Sequence, residues 1–249
     1  MTINKILISQ AQPSNLAPYT ALQTKFGVSV EFRPFFLIQP LSSREFRAQR
    51  VDILEYTAIV FSARHTIDAF FKLCSELRIT VPPTLKYFCT TEAVAMYLQK
   101  HIVFRKKKIF YGTGTPDSIV AQIGTKHKGE KFLITTSDNT NSTDITSVFD
   151  KAGLSYRTAV FVKAVPQDLK AVDIGSYDIV VVYNPSDVRS LQENFPGYDP
   201  KGTKFVTYGR QIVRAMEEAN LPIEIKAPTP EAPSVARALE LYLESHQDR

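Results

Sequence analysis

The residue types that usually carry chemistry are scattered along this chain rather than clustered. Its four histidines, His65, His101, His127 and His246, form no HExxH and share no short spacing with the two cysteines, Cys74 and Cys89. A metal site therefore has little support. The cysteines fit no CxxC pattern, Cys74 falls on an amphipathic helical period, and both read as reduced core thiols. GTGTPD at Gly112 has two glycines of a dinucleotide fingerprint but lacks the third. No GxxxxGKS/T and no GxSxG elbow occur, so P-loop and serine-hydrolase chemistry are not expected. Neither a metal nor a cofactor is expected.

What remains is charge. The formal net charge is +5 and the pI near 9.1, with clusters at Arg105 to Lys108 and Lys126 to Lys131. Such a balance favours acidic partners. No recognition-helix, RNP or zinc-finger pattern is present and the charge is modest for a phosphate-backbone binder, so no nucleic acid is expected. A small polycarboxylate suits the same charge, and a solvated basic face accounts for either cluster taken alone. Met1 to Ile8 holds one lysine and an apolar run of only three residues, short of a signal peptide. No apolar stretch approaches the roughly 20 residues of a membrane span. A cytoplasmic location, away from any membrane, is the expectation.

The elements that must position these residues follow a repeating order. At 249 residues, with 44% hydrophobic and 22% charged content, the chain suits two domains with a core each. Short β-rich runs recur at Lys5 to Ser9, Val28 to Arg33, Thr57 to Phe61, Leu85 to Phe88, Lys108 to Tyr111, Lys131 to Thr135, Asp178 to Tyr183 and Lys204 to Tyr208. Most precede a helical period. After Phe61, for example, Ile67, Phe70, Phe71, Cys74 and Leu77 recur at steps of three and four. This alternation predicts an α/β fold of parallel sheets covered by helices. Ligands of such sheets sit beyond the carboxyl ends of the strands, where loops enter helices.

A faint internal repeat suggests two similar halves. KILIS at Lys5 resembles KFLIT at Lys131, IVFSARHTIDAFF at Ile59 pairs with VVYNPSDVRSL at Val181, YFCTTEAVAMYL at Tyr87 with VTYGRQIVRAM at Val206, and GTGTPDSIVAQI at Gly112 with APTPEAPSVARAL at Ala227. Convergence on a generic strand-turn-helix pattern would look similar. Two stretches, Arg33 to Pro40 and Tyr156 to Pro166, read as extended crossovers without a helix. Paired side by side they would form a two-stranded β hinge. The expected domains are then residues 1–36 plus 164–249, and residues 40–157.

The order of KILIS, IVFSARHTIDAFF, YFCTTEAVAMYL and the closing KAPTPEAPSVARALELYL resembles the uroporphyrinogen-III synthase family over nearly the whole chain. The resemblance implies two flavodoxin-like or Rossmann-like parallel-sheet domains and a cofactor-free lyase of haem and corrinoid synthesis. The activity implied is closure of the linear tetrapyrrole hydroxymethylbilane to uroporphyrinogen III, with inversion of the terminal pyrrole ring, in an interdomain cleft. Because that substrate closes unaided to the uninverted isomer, imposing one geometry is the main task. Eight substrate carboxylates would suit helix N-termini, backbone N–H groups and scattered basic residues. A monomer is expected.

Carried residue by residue, the family's binding loops fall on Phe61, Ser62, Ala63, Arg64 and His65, beside Thr90, Thr91 and Glu92, with Thr135 to Asp138, Ser137 among them, on the same wall. Arg64 is favoured as a fork for a carboxylate. The opposite wall falls on Ser9 and Gln10 of the Ser9 to Gln12 loop, on Asn184, Pro185 and Ser186, and on Tyr208, Gly209, Arg210 and Gln211. Helix capping is an equal reading for Ser62, Thr90 and Ser186. Three positions depart from the family. Its tyrosine in the returning crossover is Val162, next to Phe161; its Ser-Pro loop reads Asn184-Pro185; its Gly-Pro-Thr-Thr turn reads Gly209-Arg210-Gln211-Ile212. Tyr183 and Tyr208 are the phenols that would replace the missing one. Two alternatives stay open: a catalytically weak tetrapyrrole-binding paralogue, or a two-domain binder of another polyanionic small ligand.

Overall fold

A computed structural model describes residues 3–138, 143–209 and 211–246. Arg210 lies outside the described residues. The chain divides into two compact units, Met1–Leu37 with Val165–Arg249, and Ile38–Ala164. It opens with β1 (Lys5–Ile8), α1 (Ala17–Phe26) and β2 (Ser29–Phe32), and crosses units within β3 (Phe36–Pro40). The second unit runs α2 (Ser43–Ala48), β4 (Ala58–Phe61), α3 (Arg64–Glu76), β5 (Lys86–Cys89), α4 (Glu92–Tyr97), β6 (Ile109–Tyr111), α5 (Pro116–Ile123), β7 (Phe132–Ser137), α6 (Thr143–Lys151) and β8 (Tyr156–Pro166). The chain then completes the first unit with β9 (Ile179–Val182), α7 (Pro185–Asn194), β10 (Lys204–Tyr208), α8 (Gln211–Glu218), β11 (Ile223–Ala227) and α9 (Val235–His246).

The first unit's sheet has the order β11-β10-β9-β1-β2, and the other sheet the order β3-β8-β7-β4-β5-β6. The pairs β1–β2, β1–β9, β9–β10, β10–β11, β4–β5, β4–β7, β5–β6 and β7–β8 are all parallel. Both crossover segments of the sequence are strands, β3 and β8, and they are neighbours in the larger sheet.

Parallel strands covered by helices on both faces must be apolar throughout. In β4, Ile59 and Phe61 face a cluster with Ile67, Phe70 and Cys74 of α3, whereas Ala58 and Val60 face one with Ile119, Phe132 and Phe149. In the first unit Leu7, Val180 and Val182 point one way, and Ile6, Ile8, Ile179 and Val181 the other. The helical period after Phe61 is thus the buried face of α3. The strand β11 carries no such signal: IEIKA alternates half-buried with exposed residues at a sheet edge.

The two sheets share one plan. Starting from an edge, β11-β10-β9-β1-β2 corresponds to β6-β5-β4-β7-β8. The repeat seen in the sequence is this correspondence, with a correction of one residue. Val60 stands opposite Ile134 as Val181 stands opposite Ile8, so Val60 matches Val181 rather than Val182. By the same register Phe88 matches Val206. Hence Thr135 corresponds to Ser9, Ala63 to Asn184, and Thr66 to Asp187. In each unit the strand order reverses at one place, between β4 and β7 and between β1 and β9. Those switch points are where a ligand crevice opens beyond the strand ends.

Candidate functional site

In the second unit the switch point holds a cavity of about 170 Å³ lined by Val60, Ser62, Thr90, Gly114, Thr135 and Asp144, among others. Its frame is backbone. Thr90 N–H donates to the Phe61 carbonyl at 3.0 Å and Gly114 N–H to the Thr90 carbonyl at 2.9 Å, linking the loops after β4, β5 and β6. Gly114 sits at φ +103°, a conformation that favours glycine. Thr90 Oγ1 donates to the Ser62 carbonyl at 3.2 Å, and Thr135 Oγ1 to that of Val60 at 2.9 Å. Each of these hydroxyls keeps lone pairs for a further donor.

Helix ends complete the wall. Thr91, not Thr90, caps α4 by accepting Val94 N–H at 3.3 Å. Ala63 occupies the N-cap of α3 and offers no side-chain cap, so that 13-residue helix presents its N-terminus bare. Such an end attracts anions. Ser62 is exposed and caps nothing, while Arg64 and His65 open the helix, both exposed. The Arg64 guanidinium lies 5.6 Å from the Tyr97 ring centroid and makes no ion pair among the described residues. Tyr97 in turn donates to Asp68 at 2.7 Å, and Lys100 and His101 close on the same carboxylate at 3.0 and 2.7 Å. Glu92 is exposed and accepts from the Tyr111 hydroxyl at 3.1 Å.

One expected wall residue is corrected by the structure. Phe61 is 0% exposed, its ring packed on Phe70 and Tyr87 at 5.6 and 6.3 Å, so only its carbonyl serves the site. Ser137 is buried and belongs to β7, paired with Val162 of β8. Asp138 beside it uses Oδ1 to accept the Ala164 N–H at 2.8 Å. Val162, at 1% exposed, is core, as is Phe161.

In the first unit the switch point gathers Ser9, Asn184 and Ser186, with Tyr183 at the end of β9. Asn184 caps α7, accepting Ser186 N–H at 3.0 Å, and Pro185 takes the first helical turn, where its missing N–H costs nothing. Ser186 is buried. Asp187, absent from the sequence expectations, closes a capping box: its Oδ2 accepts the N–H groups of Tyr183 and Asn184 at 2.8 and 3.1 Å. The carboxyl is 0% exposed, and burial pushes its pKa up to about 6. The Tyr183 phenol donates to that of Tyr19, and burial raises its pKa strongly. The Tyr183 and Tyr208 rings lie 5.8 Å apart, but the Tyr208 hydroxyl donates to the Pro233 carbonyl at 3.0 Å. Gly209 follows at φ +106°, and Gln10 and Gln211 are exposed.

Cys74 and Cys89 are free, buried thiols whose pKa values desolvation lifts to about 12, which keeps them inert at neutral pH. Among the described residues no group of three His, Cys, Asp or Glu is placed to hold a metal ion, and no helix is long and apolar enough to cross a membrane.

Two parallel-sheet units, each with hydroxyls, amides and helix ends gathered at its switch point, define a doubly wound α/β protein. The family is more specific than the architecture. Residues 17–237 match the family described as Uroporphyrinogen-III synthase HemD, and the chain belongs to that family. Among solved structures it is similar to uroporphyrinogen-III synthetase from Helicobacter pylori 26695, with TM-score 0.58, 14% identity, and coverage of 98% of this chain and 100% of that one. A mutant uroporphyrinogen III synthase from the extremely thermophilic bacterium Thermus thermophilus gives TM-score 0.53, 13% identity, and coverage of 99% and 100%. At such identities the likeness speaks for the fold. No protein of curated function matches significantly.

Proposed function

We propose that this chain is a cofactor-independent lyase that closes hydroxymethylbilane to uroporphyrinogen III, inverting the last pyrrole ring. The family match supports the reaction. The observation that carries the substrate class is the second unit's switch point: the hydroxyl-bearing Ser62, Thr90 and Thr135 line its cavity, and the uncapped N-terminus of α3, opened by Arg64, follows Ser62 directly in the chain. Those groups suit carboxylates. Loss of the hydroxyl from the substrate leaves a cationic methylene-pyrrole; its attack on the substituted carbon of the terminal ring gives a spiro intermediate, which fragments and recloses inverted. Holding one conformer through these steps asks for many modest contacts rather than a strong nucleophile.

The test is isomer analysis. Purified protein supplied with hydroxymethylbilane generated in situ should yield uroporphyrinogen III, read as the porphyrin isomer after oxidation; isomer I alone at high protein concentration would reject the synthase. Arg64→Ala should weaken substrate binding by about tenfold to a hundredfold, since a charge-assisted bond is worth ~1.5–3 kcal/mol. Its circular dichroism should match the parent. Unchanged affinity would remove Arg64 from the site.

A further inference from the structure

Two buried polar groups in the first unit have no use in the scheme so far. Among the described residues Ser9 Oγ and Asp187 Oδ1 make no hydrogen bond of good geometry, although the two residues are only 4% and 0% exposed. Leaving such an atom unpaired in the interior is costly, so two together call for an explanation. They are together at the switch point: Ser9 follows β1, Asp187 stands in the first turn of α7 after β9, and β1 and β9 are neighbours. Ser9 is near enough to pull the carboxyl's pKa down, against the larger upward effect of burial. The pair nonetheless falls short of good hydrogen-bond geometry.

The other unit shows what the same positions do when they only hold the fold. There Thr135, the counterpart of Ser9, donates its hydroxyl to the Val60 carbonyl at 2.9 Å. Thr66, the counterpart of Asp187, donates to the Ala63 carbonyl at 2.8 Å. Both hydroxyls end on backbone. In the first unit the corresponding Val181 carbonyl takes the Ser9 N–H at 3.0 Å, and the Ser9 hydroxyl is left over beside a carboxyl. One carboxyl oxygen is enough for the capping box, because Oδ2 alone accepts both N–H groups. The second oxygen is the surplus.

Resting on the synthase reading, we propose that Ser9 and Asp187 form a proton relay for the substrate's departing hydroxyl, with Ser9 touching that oxygen and Asp187 acting through Ser9 as a positioning residue. The Asp187 proton passes to Ser9 Oγ while the Ser9 proton passes to the substrate oxygen. The carbon–oxygen bond breaks with its electron pair on oxygen, water leaves, and the carboxylate remains to balance the methylene-pyrrole cation. The final ring closure releases one proton, which returns along the same path, so substrate gives product plus water with the relay restored. Among the described residues the groups acting on the carboxyl are Tyr183, Asn184 and Ser9, none of them a cation that would strip its proton. A titratable neighbour among the described residues is the Tyr183 phenol, which is held protonated by burial. An acid kept protonated toward neutral pH is suited to general-acid work.

The experiment compares the full-length parent with Asp187→Asn and Ser9→Ala across pH 5–9. Asn keeps an acceptor for the two N–H groups, and Ser9→Ala leaves the capping box untouched. Each substitution should lower kcat by on the order of 100-fold, with KM changed less than about threefold. The parent's loss of kcat with rising pH should disappear in Asp187→Asn, and the double variant should be no slower than the slower single one. A lowered kcat that keeps the parent's pH profile, a change confined to KM, or additive losses would overturn the relay and leave Asp187 as a cap. Parent protein that forms isomer III alongside a fully active Asp187→Asn removes the relay alone. Parent protein that forms only isomer I removes the synthase reading and the relay with it.

Discussion

Phe61→Ala is expected to lower the unfolding free energy by about 3–5 kcal/mol while leaving the ligand affinity of the folded protein within twofold of the parent. The ring is fully buried and meets Phe70 edge-on at 5.6 Å and Tyr87 nearly parallel at 6.3 Å. Phe70 continues to Phe161 at 5.9 Å, and Phe161 to Phe46 at 4.9 Å, so the hole would open inside a chain of rings that reaches from β4 to α2. Close-packed interiors refill such holes only partly, and aromatic pairs add to the loss. Urea unfolding measures the first quantity and a binding titration under native conditions the second. A small stability loss with markedly weaker binding would return Phe61 to the wall of the site.

That residue also marks how far the sequence could be read. The strands and the two crossovers are legible because apolar runs and helical periods are local signals. Which face a strand residue occupies is not local when every position is apolar. In β4, Ala-Ile-Val-Phe is buried throughout, and sheet register alone sends Phe61 into the core while Ser62 emerges at the cavity. The repeat suffered for the same reason: matching similar letters paired Ile59 with Val181, whereas strand register pairs Val60 with it. Asp187 was half visible. Asn184-x-x-Asp187 before a helical period is a capping pattern, but nothing local says that the carboxyl is sealed from water or that one of its oxygens is left unpaired. The edge strand β11 carries no local signal, because its charged, alternating residues read equally well as loop.

Asp187 should also leave a signature in stability that needs no substrate. Burial raises its pKa from 3.8 to about 6, outweighing the N–H bonds from Tyr183 and Asn184 and the nearby Ser9 that pull it down. Below about pH 4 the group is protonated in both folded and unfolded chains and no penalty arises. Between pH 4 and 6 the unfolded chain gives up the proton while the folded chain keeps it, so this contribution falls as pH rises. The two-unit difference corresponds to about 3 kcal/mol, fully lost above pH 6. Other carboxylates act in the opposite sense. Glu45, lowered to about 2 chiefly by its bond from Lys163, favours folding above its ordinary range and ceases to as pH falls toward 2. The parent's curve therefore mixes both signs, and the informative quantity is the difference between parent and Asp187→Asn in urea unfolding at each pH. Relative to the variant, the parent should lose about 3 kcal/mol between pH 4 and pH 7, with the change centred in the gap between the two pKa values. Parallel curves would mean that the carboxyl is as well solvated folded as unfolded. An observed crossing would mean that this fold tolerates a costly acid at its switch point, where a plain cap such as asparagine would be more stable at neutral pH.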